Sequence, residues 1–108
     1  MYRRDDGSWF RKAAVKVLWG RPVTLTVVEA DRGSLRLEYA RGPLTSAVRF
    51  EPCPPGTMMF GGNGRLRRVT AFPGGFSFAR RGCYDLEVRV DRGRTYRRTI
   101  SLGAGACR

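Results

Sequence analysis

The sequence predicts an all-β protein, an antiparallel sandwich of about seven to eight short strands with essentially no helix. Three observations carry this. Apolar and polar residues alternate with period two through most of the chain, the pattern of a strand with one buried face. The alternating runs return at intervals of roughly 8–12 residues, separated by Gly- and Pro-containing breaks, the spacing of sandwiches and barrels. Nowhere do apolar residues recur at i, i+3, i+4 and i+7 for more than a turn. One-sided strands bury their apolar faces most simply by packing sheet on sheet. A chain of 108 residues makes one domain. Residues 1–10 read as a polar lead-in with an aromatic anchor, Trp9-Phe10, and residues 11–108 as the sandwich.

The strands follow in order. In 14–19, Val15, Val17 and Trp19 share one face, and Arg21-Pro22 ends the run. In 23–28, Val23, Leu25 and Val27 point inward while Thr24 and Thr26 point outward, good strand chemistry on both faces. Residues 34–40 bury Leu35, Leu37 and Tyr39 and expose Arg36 and Glu38. Residues 47–51 offer Val48 and Phe50. The stretch 53–64, CPPGTMMFGGNG, is an irregular connection, because Pro-Pro and GGNG exclude a regular element at either end. Residues 67–72 make a strand, PGG a turn, and Phe76 and Phe78 share a face of the next. The last two strands form a hairpin. Tyr84, Leu86, Val88 and Val90 face the core from one; Tyr96, Ile100 and Leu102 do so from the other. Arg98 interrupts this second stripe, which places it at a sheet edge or on a bulge. The triplet DRG occurs at 31–33 and at 91–93. Each reads as a hairpin loop in which Asp caps the turn and Gly takes positive φ.

The net charge is +12, with 21 basic residues of which only Lys12 and Lys16 are lysine. Such a charge attracts nucleic acid, anionic membrane or acidic polymer. An arginine-for-lysine bias alongside abundant Gly and Ala is also what GC-rich codons encode, and no block of five or six like charges occurs. Arg65, Arg67, Arg68, Arg80, Arg81, Arg89, Arg97 and Arg98 form the candidate polyanion surface. Interleaved with Phe72, Phe76 and Phe78, such arginines could stack single-stranded bases. The parity of Phe76 and Phe78 assigns those rings to the core instead.

Catalytic chemistry finds little to build on. The chain has no histidine, which removes the commonest general base and metal ligand and any Ser-His-Asp or Cys-His arrangement within it. Asp85 and Glu87 share a strand face about 7 Å apart, but Arg89 extends that face and Arg97 and Arg98 lie across the hairpin. Cross-strand ion pairs are the simpler reading. GGNG at 61–64 lacks the Lys-Ser/Thr and the helix of a phosphate loop. No catalytic, cofactor-binding or metal-binding residues are expected. Met58, Met59 and Phe60 form an apolar patch in the long loop, read as a lid folded back on one end of the sandwich or, alternatively, as a candidate partner-binding tip.

Three cysteines remain, Cys53, Cys83 and Cys107, none in a CxxC pair. Their wide spacing beside Gly or Pro suits disulfide staples at strand ends and an oxidising compartment. One such bridge is worth about 3–4 kcal/mol in the loop-entropy view. Cys83 and Cys107 could approach across the hairpin. The pairing Cys53–Cys107 is preferred, because a clamp within an already paired hairpin constrains less of the chain. No stretch reaches the roughly 20 apolar residues of a membrane-spanning helix, and MYRRDDGSWF is no secretion signal.

The ordered landmarks WFRKAAVKVLWGRPVTLTV, AVRFEPCPPGT, TAFPGGF, RRGCYDLEVRV and GAGAC resemble the C-terminal domain of a family of uncharacterised secreted actinobacterial proteins. The resemblance spans roughly residues 9–107 and rests on order and spacing. It implies an immunoglobulin-like sandwich, oxidised cysteines, and export by an N-terminal signal or anchor, expected to lie outside this sequence. It assigns no activity. The expectation is a non-catalytic secreted or cell-envelope structural or binding module, its partner a protein or cell-wall polymer. The competing expectation is a basic polyanion or single-stranded nucleic-acid binder.

Overall fold

A computed structural model describes residues 1–39, 44–57, 64 and 68–107. Ten strands lie among them: β1 (Tyr2–Arg3), β2 (Trp9–Lys12), β3 (Val15–Leu18), β4 (Val23–Val27), β5 (Leu35–Tyr39), β6 (Ala47–Phe50), β7 (Val69–Phe72), β8 (Gly74–Phe78), β9 (Gly82–Val90) and β10 (Thr95–Leu102). The only helical element among the described residues is a 3-10 turn, Glu29–Asp31. One antiparallel sheet has the order β1-β2-β8-β5, a second β10-β9-β4-β6, and β3 and β7 form a two-stranded ribbon. The all-β sandwich expected from the alternation is the observed fold.

The core lies between the sheets. Leu35, Leu37, Tyr39, Phe76 and Phe78 come from the first; Leu25, Val27, Phe50, Tyr84, Leu86 and Leu102 come from the second. Tyr39 meets Phe50 edge-on at 5.1 Å between ring centroids, and Phe78 approaches Tyr84 at 6.4 Å, so aromatic contacts join the layers. Val17 of the ribbon closes one end and is 2% exposed.

Residues 1–10, read as a lead-in, belong to the sheet. Tyr2 lies opposite Phe10 and Arg3 opposite Trp9, and β2 pairs with β8 from Trp9↔Phe78 to Lys12↔Gly75. Two strands beyond the expected number arise here. Strand β2 is only four residues long, and Trp9-Phe10-Arg11-Lys12 does not alternate, so it carries no period-two signal.

The PGG at 73–75 is not a turn. The pairings Lys12↔Gly75 and Val15↔Phe72 keep one register, and the Ala13 amide donates to the Gly74 carbonyl at 2.9 Å. Strands β7 and β8 are thus one run with a kink. Pro73 withholds a ladder donor and Gly74 takes φ +151°, which bends the ribbon out of the sheet. A Cβ on Gly74 would lie 2.4 Å from both the Glu38 carbonyl and the Tyr39 ring, and one on Gly75 would lie 2.1 Å from the Arg11 carbonyl. Only glycine lets β2 and β5 close on β8 there.

Neither DRG triplet uses its glycine as expected. Asp31-Arg32-Gly33 begins on the last residue of the 3-10 turn and carries the chain from β4 to β5, which lie in different sheets, so it is an arch and not a hairpin. Asp31 caps a distant group, accepting the Asp85 amide at 2.7 Å. The second triplet does close the β9–β10 hairpin, but Arg92 takes the left-handed conformation, φ +58°, and Gly93 does not.

The disulfide joins Cys83 to Cys107, with Cα atoms 5.9 Å apart, which corrects the preferred Cys53–Cys107 pairing. Strand β10 returns antiparallel to β9 and sets Ser101 opposite Cys83. Gly103 and Gly105, both with positive φ, then turn the tail back onto the start of β9. Cys53 is a free, half-buried thiol, and its amide donates to the Thr70 hydroxyl at 2.9 Å.

Candidate polyanion interface

The expected arginine surface is divided among several places. Arg89 and Arg97 lie on the outer face of the second sheet, where carboxylates accompany them. Arg97 stands 3.7 Å from Asp85, and Asp85 accepts the Thr99 hydroxyl at 2.6 Å. Glu87 is directly opposite Arg97. Asp85 and Glu87 therefore sit as the outward cross-strand partners expected of them. Further along this face Arg49 grips both carboxylate oxygens of Asp91, at 2.9 and 2.6 Å, and Glu51 at 2.9 Å. The Arg49 guanidinium holds the Asp91 carboxyl below its ordinary value, and the two carboxylates raise Arg49. This face is a charge-balanced lattice, not a basic stripe.

Arg98 faces the core side of β10. The β9–β10 register runs without a bulge, and β10 is a sheet edge, so the edge position is what accommodates the charge. Its guanidinium lies 5.1 Å from the centre of the Tyr96 ring. Tyr96 is 37% exposed, a correction to its expected place in the core. It lies near the free end of the hairpin, with β9 as its strand neighbour on one side only.

Arg80 and Arg81 form the β8–β9 turn. Arg80 donates to the Ser34 hydroxyl at 3.2 Å, and Arg81 lies 4.8 Å over the Trp9 ring. Arg3 lies over the same ring at 5.5 Å. Sequence reasoning misses this convergence: Arg3 lies outside the expected set, and Trp9 reads only as an anchor. The paired arginines at 3–4 and 80–81 were visible, but their meeting depends on β2 pairing with β8. Neither Arg3 nor Arg81 takes part in an ion pair among the described residues. The group concentrates positive charge around one aromatic ring whose face is already engaged by guanidinium.

Arg4 does the opposite. It stacks on Phe10 at 4.6 Å and bonds Glu38, whose carboxylate raises it above its ordinary value. Arg68 is exposed at the start of β7. Arg65, Arg67, Met58, Met59 and Phe60 lie outside the described residues.

Other perturbed groups are explained by structural contacts. Asp6 is held low by the Ser8 hydroxyl and amide. Burial pushes Tyr39 up to about 12 and raises Tyr84. The Tyr39 hydroxyl donates to the Ala13 carbonyl at 2.7 Å and the Tyr84 hydroxyl to the Arg80 carbonyl. Two hollows lined by described residues measure about 210 Å³, beside Tyr39, Phe50 and Phe72, and about 160 Å³, beside Ser34, Arg36 and Ser77. Small-molecule sites usually occupy roughly 300–1,000 Å³. No group of three or more His, Cys, Asp or Glu able to hold a metal occurs among the described residues. None of their helices is long and apolar enough to cross a membrane.

No protein-family profile matches the chain. No curated protein and no solved structure gives a significant match.

Proposed function

We propose that this chain is a non-catalytic structural or binding module of the cell exterior, of the kind suggested by its resemblance to secreted actinobacterial domains. The observation that carries the reading is the Cys83–Cys107 bond, which ties the C-terminal tail to β9. Structural disulfides persist in oxidising compartments and are rare in reducing ones. The use of the ionisable groups supports the non-catalytic part. Asp85, Asp91, Glu38 and Glu51 are engaged in ion pairs, and Asp31 in a backbone cap. Fractionation of producing cells tests the reading. The chain is expected in the envelope or the medium, with the Cys83–Cys107 bond intact; recovery in the cytosol with reduced cysteines contradicts it.

Polyanion binding stands as the second reading because of Arg3 and Arg81 over Trp9. A salt series against single-stranded DNA tests it. Binding through this group loses affinity with salt at a slope of about −0.7 per phosphate contacted, and Arg3→Ala with Arg81→Ala flattens that slope. A slope unchanged by the two substitutions leaves only diffuse attraction to the net charge.

A further inference from the structure

Of the seven large apolar or aromatic side chains left exposed among the described residues, three meet at the end of the β3–β7 ribbon. Leu18 and Val69 are direct cross-strand partners and are 53% and 41% exposed; Trp19 follows at 45%. The corner is well defined. The Trp19 amide donates to the Arg68 carbonyl at 2.7 Å, the Arg21 amide donates to Leu18 at 3.1 Å, and Gly20 takes φ +81°. That is a tight turn with glycine where positive φ is needed, and Trp19 stands at its apex. Folding rarely leaves a tryptophan, a leucine and a valine together on the surface without a reason.

The charges around this apex are of one sign. Lys16, Arg21 and Arg68 are exposed, and none joins an ion pair among the described residues. The carboxylates brought nearest by strand pairing are Glu51 and Asp91. Glu51 follows the Phe50↔Val23 pair, and the Asp91 amide binds the Pro22 carbonyl. Both carboxylates are held by Arg49. An apolar tip carrying an indole, rimmed by unpaired cations, fits one environment closely: the headgroup boundary of an anionic bilayer. Indole is favoured there, aliphatic side chains enter the acyl edge, and cations meet lipid phosphates.

We propose that the Leu18–Trp19 turn docks the molecule on an anionic lipid surface, with Leu18, Trp19 and Val69 inserted and Lys16, Arg21 and Arg68 at headgroup level. The inference supplies a partner for the exported module proposed above and rests on that reading for which face of the membrane is met. Vesicle binding and cysteine state are measured separately, so one can fail without the other.

The test uses the full chain carrying Trp9→Phe, which leaves Trp19 as the sole tryptophan, with circular dichroism to verify folding. Vesicles of phosphatidylglycerol and phosphatidylcholine are expected to shift its emission to the blue, and brominated lipid to quench it; pure phosphatidylcholine should do neither. Leu18→Ser with Val69→Ser is expected to weaken partitioning by roughly tenfold. Each of Lys16→Gln and Arg21→Gln should weaken it about fivefold. Unshifted emission on vesicles that do sediment the protein overturns the proposal in favour of diffuse charge attraction. Undiminished binding of the Leu18→Ser, Val69→Ser variant overturns it as well. Polyglutamate that binds as tightly as the vesicles, with the same loss in that variant, overturns it in favour of an acidic protein partner.

Discussion

Replacing Gly75 with alanine should cost about 3–4 kcal/mol, as the geometry of the first sheet shows. A Cβ at this position would lie 2.1 Å from the Arg11 carbonyl oxygen, 2.9 Å from its carbon and 2.7 Å from the Phe10 ring. Contact between such atoms is comfortable near 3.5–4.0 Å. The ring can turn away, but the backbone of β2 must retreat by about 1 Å or more, beyond hydrogen-bonding range of β8. Two weakened ladder bonds amount to about 2 kcal/mol, and the reduced burial of Trp9 and Phe10 adds about 1–2 kcal/mol. For 108 residues the unfolding entropy is about 0.23 kcal/mol/K, so Tm should fall by about 15 °C. Urea unfolding followed by circular dichroism measures the loss. Gly33→Ala is the matched control: nothing lies within 4 Å of its Cβ and its φ is not positive. It should stabilise by about 0.4–1 kcal/mol through the unfolded chain. A Gly75→Ala protein within 1 kcal/mol of the parent would refute the β2–β8 pairing.

Three further outcomes follow from the same structure. Cys83→Ser should cost about 3.5 kcal/mol for a loop of 24 residues, while Cys53→Ser, measured by the same unfolding assay, should change stability by less than about 1 kcal/mol. Tyr39 is raised to about 12 by burial, so the folded chain keeps that proton more tightly than the unfolded one. Its contribution is complete below pH 10 and is lost between about pH 10 and 12, up to roughly 2–3 kcal/mol; Tyr39→Phe should flatten that alkaline decline in a pH series. Arg98→Val should promote concentration-dependent self-association by size-exclusion chromatography, because a charge on the core side of an edge strand opposes sheet-to-sheet addition.

The alternating core was legible because burial on one face writes period two directly into the chain. Val23, Leu25 and Val27, Leu35, Leu37 and Tyr39, and Phe76 and Phe78 all face inward as expected, half-buried or buried. What escaped reading depends on which strands become neighbours. PGG has turn composition, yet a proline and a positive-φ glycine serve equally to kink a continuous strand, and only the partner strand decides between the two. The same holds for DRG, where neighbouring strands in different sheets make an arch and in one sheet a hairpin. Tyr96 fits the parity of its strand but lies where a second sheet does not reach. The expected Cys53–Cys107 pairing rests on how much chain a bridge constrains, whereas the observed geometry favours Cys83, already beside the returning β10. The arginines were legible as a composition and not as a surface. Arg97 and Arg89 lie among carboxylates, and Arg3 joins Arg81 only through Trp9 and the β2–β8 pairing.

The reading of this chain as a stapled module of the cell exterior is tested most directly by its cysteines. Protein isolated without reductant, denatured and treated with a thiol reagent should label one residue, Cys53, and digestion should yield a peptide pair joined through Cys83 and Cys107. Three labelled cysteines, or a bridge from Cys53 to Cys107, would contradict it.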